Sequence, residues 1–305
     1  MARSDRGDRA SYHRRVGTPE HTTAGGGAGR GSGLVTGLGR ACHPGPVVAV
    51  TTLTAALAVI AGRGTEGCVL AWAAVLAGQL SVGWCNDAFD AGRDIAEGRR
   101  GKPVADGAVG AGQVWTAAYA ALALCVPLSF LNGLWAGAVH LVAVGAGWAY
   151  NLRLKATRWS WAPYALAFAA LPAFVTLGLP GRPWPAWWVL GAGALLGIGA
   201  HLGDVLPDIR GDLVAGVHGW PQRLGPDRAR RLLPVPLVAA SALLVLGPAG
   251  PPGRRGVTAL VLVLLVAVTG TVLGRRRERL AFATAVVVAA VDVTLLLGGT
   301  GMVPA

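Results

Sequence analysis

Asn86-Asp87-Ala88-Phe89-Asp90-Ala91-Gly92-Arg93-Asp94 closes one long apolar stretch of the chain, and Asp204-Val205-Leu206-Pro207-Asp208-Ile209-Arg210-Gly211-Asp212 closes another. Spacings of three and four residues predict that Asp87, Asp90 and Asp94 share one face of a helix, and that Asp204, Asp208 and Asp212 share one face of a second. Carboxylates this close repel, and each makes its neighbour harder to ionise. Two such triads are expected in one chain only where cations fill the gap between them. Hard divalent ions with oxygen ligands suit that role, above all Mg²⁺ shared with substrate phosphates. The two stretches therefore point to Mg²⁺-dependent diphosphate chemistry at a membrane.

The membrane follows from composition. The 305 residues are 53% hydrophobic and 14% charged, with a mean hydropathy of +0.52, which is more apolar and less charged than a soluble domain. Apolar segments of spanning length lie at 46–62, 68–87, 113–130, 134–151, 161–179, 186–204, 232–248, 256–273 and 279–297. Short loops rich in Gly, Pro and Arg separate them. They predict an all-α integral membrane protein with nine transmembrane helices; a soluble bundle would not need so many successive segments of that length.

The formal charge of +12 would suggest a nucleic-acid partner in a soluble protein. Here the basic residues cluster between apolar segments, so topology accounts for them and no nucleic acid is expected. With the N-terminus in the cytoplasm, the N-terminal tail carries seven Lys/Arg, and the loops after segments 2, 4, 6 and 8 carry four, three, five and four. Only Arg63, Arg182, Arg254 and Arg255 fall on the other side. The positive-inside rule then predicts a multi-pass cell-membrane protein with a cytoplasmic N-terminus and an external C-terminus. Residues 1–40, rich in Arg, Gly and Ser without an apolar core, are expected to be a disordered basic cytoplasmic tail, and 41–305 the transmembrane domain. Cys42, Cys68, Cys85 and Cys125 show no CxxC spacing and read as small apolar residues.

This topology puts both triads on the cytoplasmic side, in what looks like a weak internal repeat: a helix pair, an acidic helix end, a long polar loop. Loops 95–112 and 213–231 follow the triads and are candidate caps over one shared cavity. A prenyl diphosphate needs its leaving group bridged to the protein by Mg²⁺, its remaining charge met by basic residues, and its tail held in an apolar groove. Arg93, Lys102, Arg153 and Lys155 lie on the same predicted membrane face as the triads, and the Trp-, Ala- and Leu-rich helices can line a tail channel.

These residues carry a resemblance to the UbiA superfamily of intramembrane prenyltransferases. Asn86 to Asp94 matches that family's Asn-Asp-x-x-Asp-x-x-x-Asp motif, and Asp204, Asp208 and Asp212 match its Asp-x-x-x-Asp-x-x-x-Asp motif. Tyr150-Asn151-Leu152-Arg153-Leu154-Lys155 resembles its Tyr/Lys segment, with Tyr and Lys five apart where the family often has four. Lys102-Pro103 and Gly107 resemble its basic-Pro loop. The first triad is not followed by the His-Pro-x-Lys of the decaprenyl-phosphoribose branch. The resemblance implies nine transmembrane helices around a central cavity with a cytoplasmic cap. It also implies Mg²⁺-assisted ionisation of a prenyl diphosphate and attack of an aromatic or lipid acceptor on the allylic cation. Two other functions stay open: a terpene cyclase of the same superfamily, which needs no acceptor, and a transporter using the acidic cluster, which would want carboxylates near mid-membrane.

The predicted site is then Asp87, Asp90, Asp94, Asp204, Asp208 and Asp212 as Mg²⁺ ligands, with Asn86 assisting. Arg93, Lys102, Tyr150, Arg153, Lys155 and Arg210 are candidates for substrate contacts. Trp84 and Trp148 are candidates for shielding a carbocation by cation–π contact. Arg40 and His43 are expected to anchor the chain at the membrane surface. His140 and His201 are expected to pack between helices, with His201 one turn from Asp204. Asp292, alone in the last segment, is expected to be a hydrogen-bonded structural acid facing the bundle.

Overall fold

The computed structural model of the chain describes residues 27–273 and 278–298, and the described residues form helices, turns and loops without a strand. The helices are α1 Gly27–Ala41, α2 Pro44–Ile60, α3 Thr65–Ala96, α4 Ala111–Leu131, α5 Leu134–Leu152, α6 Ala162–Leu177, α7 Trp187–Val205, α8 Ile209–Val214, α9 Trp220–Leu224, α10 Pro226–Leu232, α11 Pro234–Leu246, α12 Arg254–Leu273 and α13 Glu278–Gly298, with a 3-10 turn at Leu154–Ala156. Each predicted apolar segment became one long helix, α2 to α7 and α11 to α13. Their boundaries follow local chemistry. Proline opens α2, α10 and α11, where its missing N–H would be unsatisfied anyway. Gly133, with φ of 111°, makes the corner between α4 and α5.

By length and hydropathy, α3, α4, α7 and the continuous stretch 226–246 are each able to cross a membrane. A fifth candidate is the pair formed by residues 33–41 and α2, bent by 67° at the break between them. The outward side of α12 exposes Val261, Leu262, Leu264, Leu265 and Val268, an apolar exterior suited to lipid rather than water. At 32 residues, α3 is about 48 Å long at 1.5 Å per residue. That exceeds a hydrocarbon core of about 30 Å, so a helix with this length can carry its polar end beyond the apolar layer.

The helices close a ring. Neighbours in contact run α2, α3, α5, α6, α7, α11, α13 and back to α2; α4 packs outside α3 and α5, and α12 outside α11 and α13. The main core draws buried residues from α2, α3, α5 to α7 and α10 to α13, and α6 meets α7 within it. There a Cβ on Gly193 would lie 2.8 Å from the Phe168 carbonyl oxygen, and one on Gly197 would lie 2.3 Å from that of Tyr164. Only glycine lets α7 approach α6 this closely, the usual use of small residues four apart between membrane helices.

Two expectations need correction. The boundary of a disordered tail at residue 40 does not hold, because Gly27–Ala41 is helical. Leu34 and Leu38 of α1 pack against a small cluster of Ala41, Ala88, Ala91, Val104, Val109 and Val114, which supplies the apolar burial that composition alone did not suggest. Residues 1–26 of that tail lie outside the described residues. The second triad does not sit on one helix: α7 ends at Val205, Asp208 belongs to the following turn, and Asp212 lies in α8. Pro207 explains the break, since it lacks an N–H and disfavours helix in the residue before it.

Candidate active site

A cavity of about 730 Å3 fills the ring. It is lined by α2, α3, α5, α6, α7, α11 and α13, and by neither α4 nor α12. One end is charged: Asn86, Asp90, Arg93, Arg99, Lys102, Lys155, Asp204, Asp208 and Asp212 face it. The other end is walled by Leu53, Val75, Leu171, Leu196 and Val293. Val75 precedes Asp90 by fifteen residues in α3, so the cavity runs about 22 Å along that helix.

The first triad sits as its spacing predicted. Asp87, Asp90 and Asp94 are buried on one face of α3 at 2%, 6% and 1% exposure. The cations in their gap come from the chain itself. Lys102 Nζ reaches Asp87 at 3.3 Å. Arg93 reaches Asp90 at 3.0 Å and lies 4.0 Å from Asp94. Lys155 donates to Asp90 and, at 3.4 Å, to Asn86. Arg99 lies 3.7 Å from Asp94 and 3.7 Å from Asp212, joining the two motifs. Burial works against the Arg99 charge, but its hydrogen bond to Glu97 and the carboxylates of Glu97, Asp94 and Asp212 outweigh this, so the guanidinium is held above its ordinary pKa.

The second motif is held differently. Tyr164 in α6 donates to Asp204 Oδ2 at 2.6 Å, and the Gln222 amide in α9 donates to Asp212 Oδ2 at 2.8 Å. Behind them, Ser160 accepts the Trp220 backbone N–H at 3.0 Å and pairs with His201 Nε2 at 3.0 Å, tying the loop after α5 to α9 and α7. The segments after both triads thus stand over the charged end, as the predicted caps should: 97–110 as a turn-rich loop, 209–232 as α8, α9 and α10.

Not every predicted contact faces the cavity. Arg93, Lys102, Tyr150 and Lys155 line it, whereas Arg153 and Arg210 are exposed outside it. Asp87 and Asp94 stand behind the lining. Trp84 and Trp148 do not line it: Trp84 donates to the Leu38 carbonyl of α1, and Trp148 packs on Trp115 and Tyr119. The aromatic lining is Tyr150, Tyr164 and Phe168, with the Tyr150 ring edge-on to Tyr164 at 5.1 Å. His201 packs away from the cavity as expected, whereas His140 lines it, hydrogen-bonded through Nδ1 to Ser129 at 2.8 Å.

The sequence reading assigned His43 to anchoring, whereas it lines the cavity, and missed Arg99, Tyr164 and Gln222. His43, held in a left-handed turn at φ 57°, meets the Asn86 amide at 3.1 Å. Arg99 lay within a predicted cap, which was the available signal. Tyr164 and Gln222 sit in segments whose local sequence carries no motif.

The charged end suits hard cations. Among the described residues no three His, Cys, Asp or Glu side chains converge on one ion position; at the first motif Lys102, Lys155, Arg93 and Arg99 stand between the carboxylates. Yet Asp87 Oδ2 and Asp94 Oδ1 are buried without a hydrogen-bond partner. Carboxylate oxygens left in that condition are costly unless a cation can take them up.

Residues 47–279 match the UbiA prenyltransferase family. No curated protein sequence matches the chain. Among solved structures, the chain resembles a UbiA homologue from Archaeoglobus fulgidus bound to GPP and Mg²⁺, at 18% identity and a TM-score of 0.63, over 86% of this chain and 98% of that one. It also resembles a digeranylgeranylglyceryl phosphate synthase, at 13% identity and a TM-score of 0.65, over 87% of this chain and 98% of the other. A third likeness is to an apo UbiA homologue from Aeropyrum pernix K1, at 20% identity and a TM-score of 0.58, over 80% and 96% of the two chains. With most of its length matched, this multi-pass membrane chain belongs to the UbiA prenyltransferase family.

Proposed function

We propose that the protein is a Mg²⁺-dependent intramembrane prenyltransferase that moves a prenyl group from a prenyl diphosphate to an aromatic or lipid acceptor. The observation that carries this reading is the polarity of the cavity. Charged residues crowd one end, and apolar side chains wall the rest. That division suits a molecule with a diphosphate head and a hydrocarbon tail. A transporter would need ionisable groups along a path through the membrane, and the cavity gathers its carboxylates, lysines and arginines at one end. The relatives bound to GPP or DMAPP with Mg²⁺ support the same reading by analogy of fold. In this proposal α2 to α7 and α11 to α13 are nine spans, and the N-terminus is cytoplasmic.

Asp90, Asp204, Asp208 and Asp212 at the lining, with Asp87 and Asp94 behind them, would hold the metal. Bound there, Mg²⁺ offsets the charge of the diphosphate and makes it a better leaving group. The chain's own residues do the rest. Lys155, Lys102 and Arg93 meet the phosphate oxygens, and Asn86 positions Lys155 by accepting its hydrogen bond. The C1–O bond of the donor breaks and its electron pair leaves with the diphosphate. The acceptor then forms a bond to C1 and loses a proton. The apolar walls hold the tail and keep water from the allylic cation, which water would otherwise capture. Tyr150, Tyr164 and Phe168 present ring faces or edges to the same space.

The test is incubation of the purified protein in detergent with prenyl diphosphates and Mg²⁺, with and without aromatic or lipid acceptors. Diphosphate release and a prenylated acceptor are expected, both abolished by EDTA and restored by Mg²⁺. Full activity in metal-free buffer would sink the Mg²⁺ assignment. A hydrocarbon product formed without acceptor would identify a cyclase instead.

A further inference from the structure

The two aspartate motifs share a spacing but not an electrostatic setting. Around the first, four cations lie within 4.0 Å of three carboxylates: Lys102 on Asp87, Lys155 and Arg93 on Asp90, Arg93 and Arg99 on Asp94. Around the second, the one cation within that reach among the described residues is Arg99, 3.7 Å from Asp212 and shared with Asp94. Asp204 and Asp212 are instead fixed by neutral donors, the Tyr164 hydroxyl at 2.6 Å and the Gln222 amide at 2.8 Å. A neutral donor fixes the orientation of a carboxylate and leaves its negative charge in place. A lysine or arginine cancels that charge, so a metal at the first motif competes with cations already on Asp87, Asp90 and Asp94, even though Asp87 Oδ2 and Asp94 Oδ1 lack a hydrogen-bond partner. The approach of Tyr164 to Asp204 is built into the fold, since Gly193 and Gly197 let α6 and α7 close on each other there.

We propose that the two motifs are unequal and ordered cation sites: Asp204, Asp208 and Asp212, oriented by Tyr164 and Gln222, take a divalent ion in the absence of substrate, and Asp87, Asp90 and Asp94 take one only when a diphosphate draws Lys102, Lys155 and Arg93 away. Tyr164 and Gln222 are positioning residues in this scheme, acting through the carboxylates they hold. Donors in that position typically alter metal affinity by about ten- to a hundredfold when removed. The first motif's basic residues serve twice, as counter-ions in the free protein and as phosphate ligands in the complex. The inference rests on the Mg²⁺-dependent reading of the site, but its readout is metal binding and not turnover.

The experiment is titration of the full-length, detergent-purified protein with Mn²⁺, the free ion followed by electron paramagnetic resonance. Each variant is first checked for a wild-type elution volume and melting temperature. Without pyrophosphate, one Mn²⁺ per chain is expected to bind tightly. Asp208→Asn should remove it and Asp90→Asn should leave it. Tyr164→Phe and Gln222→Leu should each weaken it by about ten- to a hundredfold. Inorganic pyrophosphate should then add a second Mn²⁺, which Asp90→Asn removes. Two equivalent sites without pyrophosphate, no binding without it, loss in Asp90→Asn but not in Asp208→Asn, or unchanged affinity in both Tyr164→Phe and Gln222→Leu would each overturn the proposal. If Mn²⁺ binds as expected but no prenyl diphosphate is consumed, the ordered sites stand and the prenyltransferase reading falls.

Discussion

Lys155 donates hydrogen bonds to Asp90 and Asn86, although 65 residues of chain separate it from Asp90. The lysine comes from the 3-10 turn after α5, the two acceptors from the last turns of α3. The contact exists only because α3 and α5 run side by side and end on the same side of the molecule. It couples the assembly of the ring to the assembly of the site. A lysine so placed neutralises Asp90 in the free protein and is within reach of an anion arriving at the same oxygen.

Removing either partner therefore has a predictable signature. Asp90→Ala and Lys155→Gln should each lower the rate of diphosphate release by on the order of a hundredfold or more, as loss of a preorganised charged group does. Asp208→Ala should do the same from the opposite side of the cavity. Steady-state rates with a saturating prenyl diphosphate measure this. Near-wild-type turnover in Asp208→Ala would remove the second motif from the active site.

Topology gives an independent check. The clustering of basic residues in the tail and in alternate loops predicts a cytoplasmic N-terminus and an external C-terminus. Reporter fusions at the two ends should report opposite sides of the membrane. A shared side would mean an even number of spans.

Much of this was legible because periodicity survives folding. The nine apolar segments became nine helices among the described residues, and the first triad kept the face that its spacing assigned. The second triad kept its neighbourhood but lost its helix, because one proline weighed more than the acidic repeat. Tyr164 and Gln222 were invisible for a different reason. Each is an ordinary residue whose role arises from a partner 40 and 10 positions away, respectively. Arg153 and Arg210 show the reverse: their sequence neighbours are site residues, but their own side chains point away from the cavity. Adjacency in sequence is a poor guide at helix ends, where a step of one residue turns a side chain by about 100°.

At the far end of the bundle, Arg63 in the turn between α2 and α3 donates to Asn132 Oδ1 at 2.7 Å. Asn132 in turn donates to the Leu128 carbonyl at 2.9 Å, and a Cβ on Gly178 would lie 2.6 Å from Arg63 Nη1. One guanidinium thus braces the ends of α4 and α6, where a cation is favoured by the helix dipole. Arg63→Met should lower thermal stability by about 1.5–3 kcal/mol, the range for a hydrogen bond to a charged group. Turnover at low temperature should stay near wild type. A melting temperature in detergent that does not move would deny the brace.

Asp292 offers the sharpest separation of structure from catalysis. It is fully buried in α13 and accepts a hydrogen bond from Ser241 of α11, while its second oxygen has no hydrogen-bond partner. Its neighbours Ala289 and Val293 line the cavity, so the acid sits closer to that space than its position in the sequence suggested, yet the contact it makes is with the adjacent helix. If the role is to join α11 to α13, Asp292→Asn keeps the shape and the Ser241 bond and places an amide where the free oxygen was. The cost should be about 1–2 kcal/mol, seen as a lower melting temperature. Prenyl diphosphate consumption per folded molecule should be unchanged. If the role is instead to carry a proton or an ion, the amide cannot replace the acid, and activity should collapse while the melting temperature holds. The serine bond favours the first outcome, because an acid that serves a moving proton gains nothing from being tied to a neighbouring helix away from the charged end. A folded, inactive Asp292→Asn protein would reverse that conclusion and put the apolar end of the cavity into the chemistry.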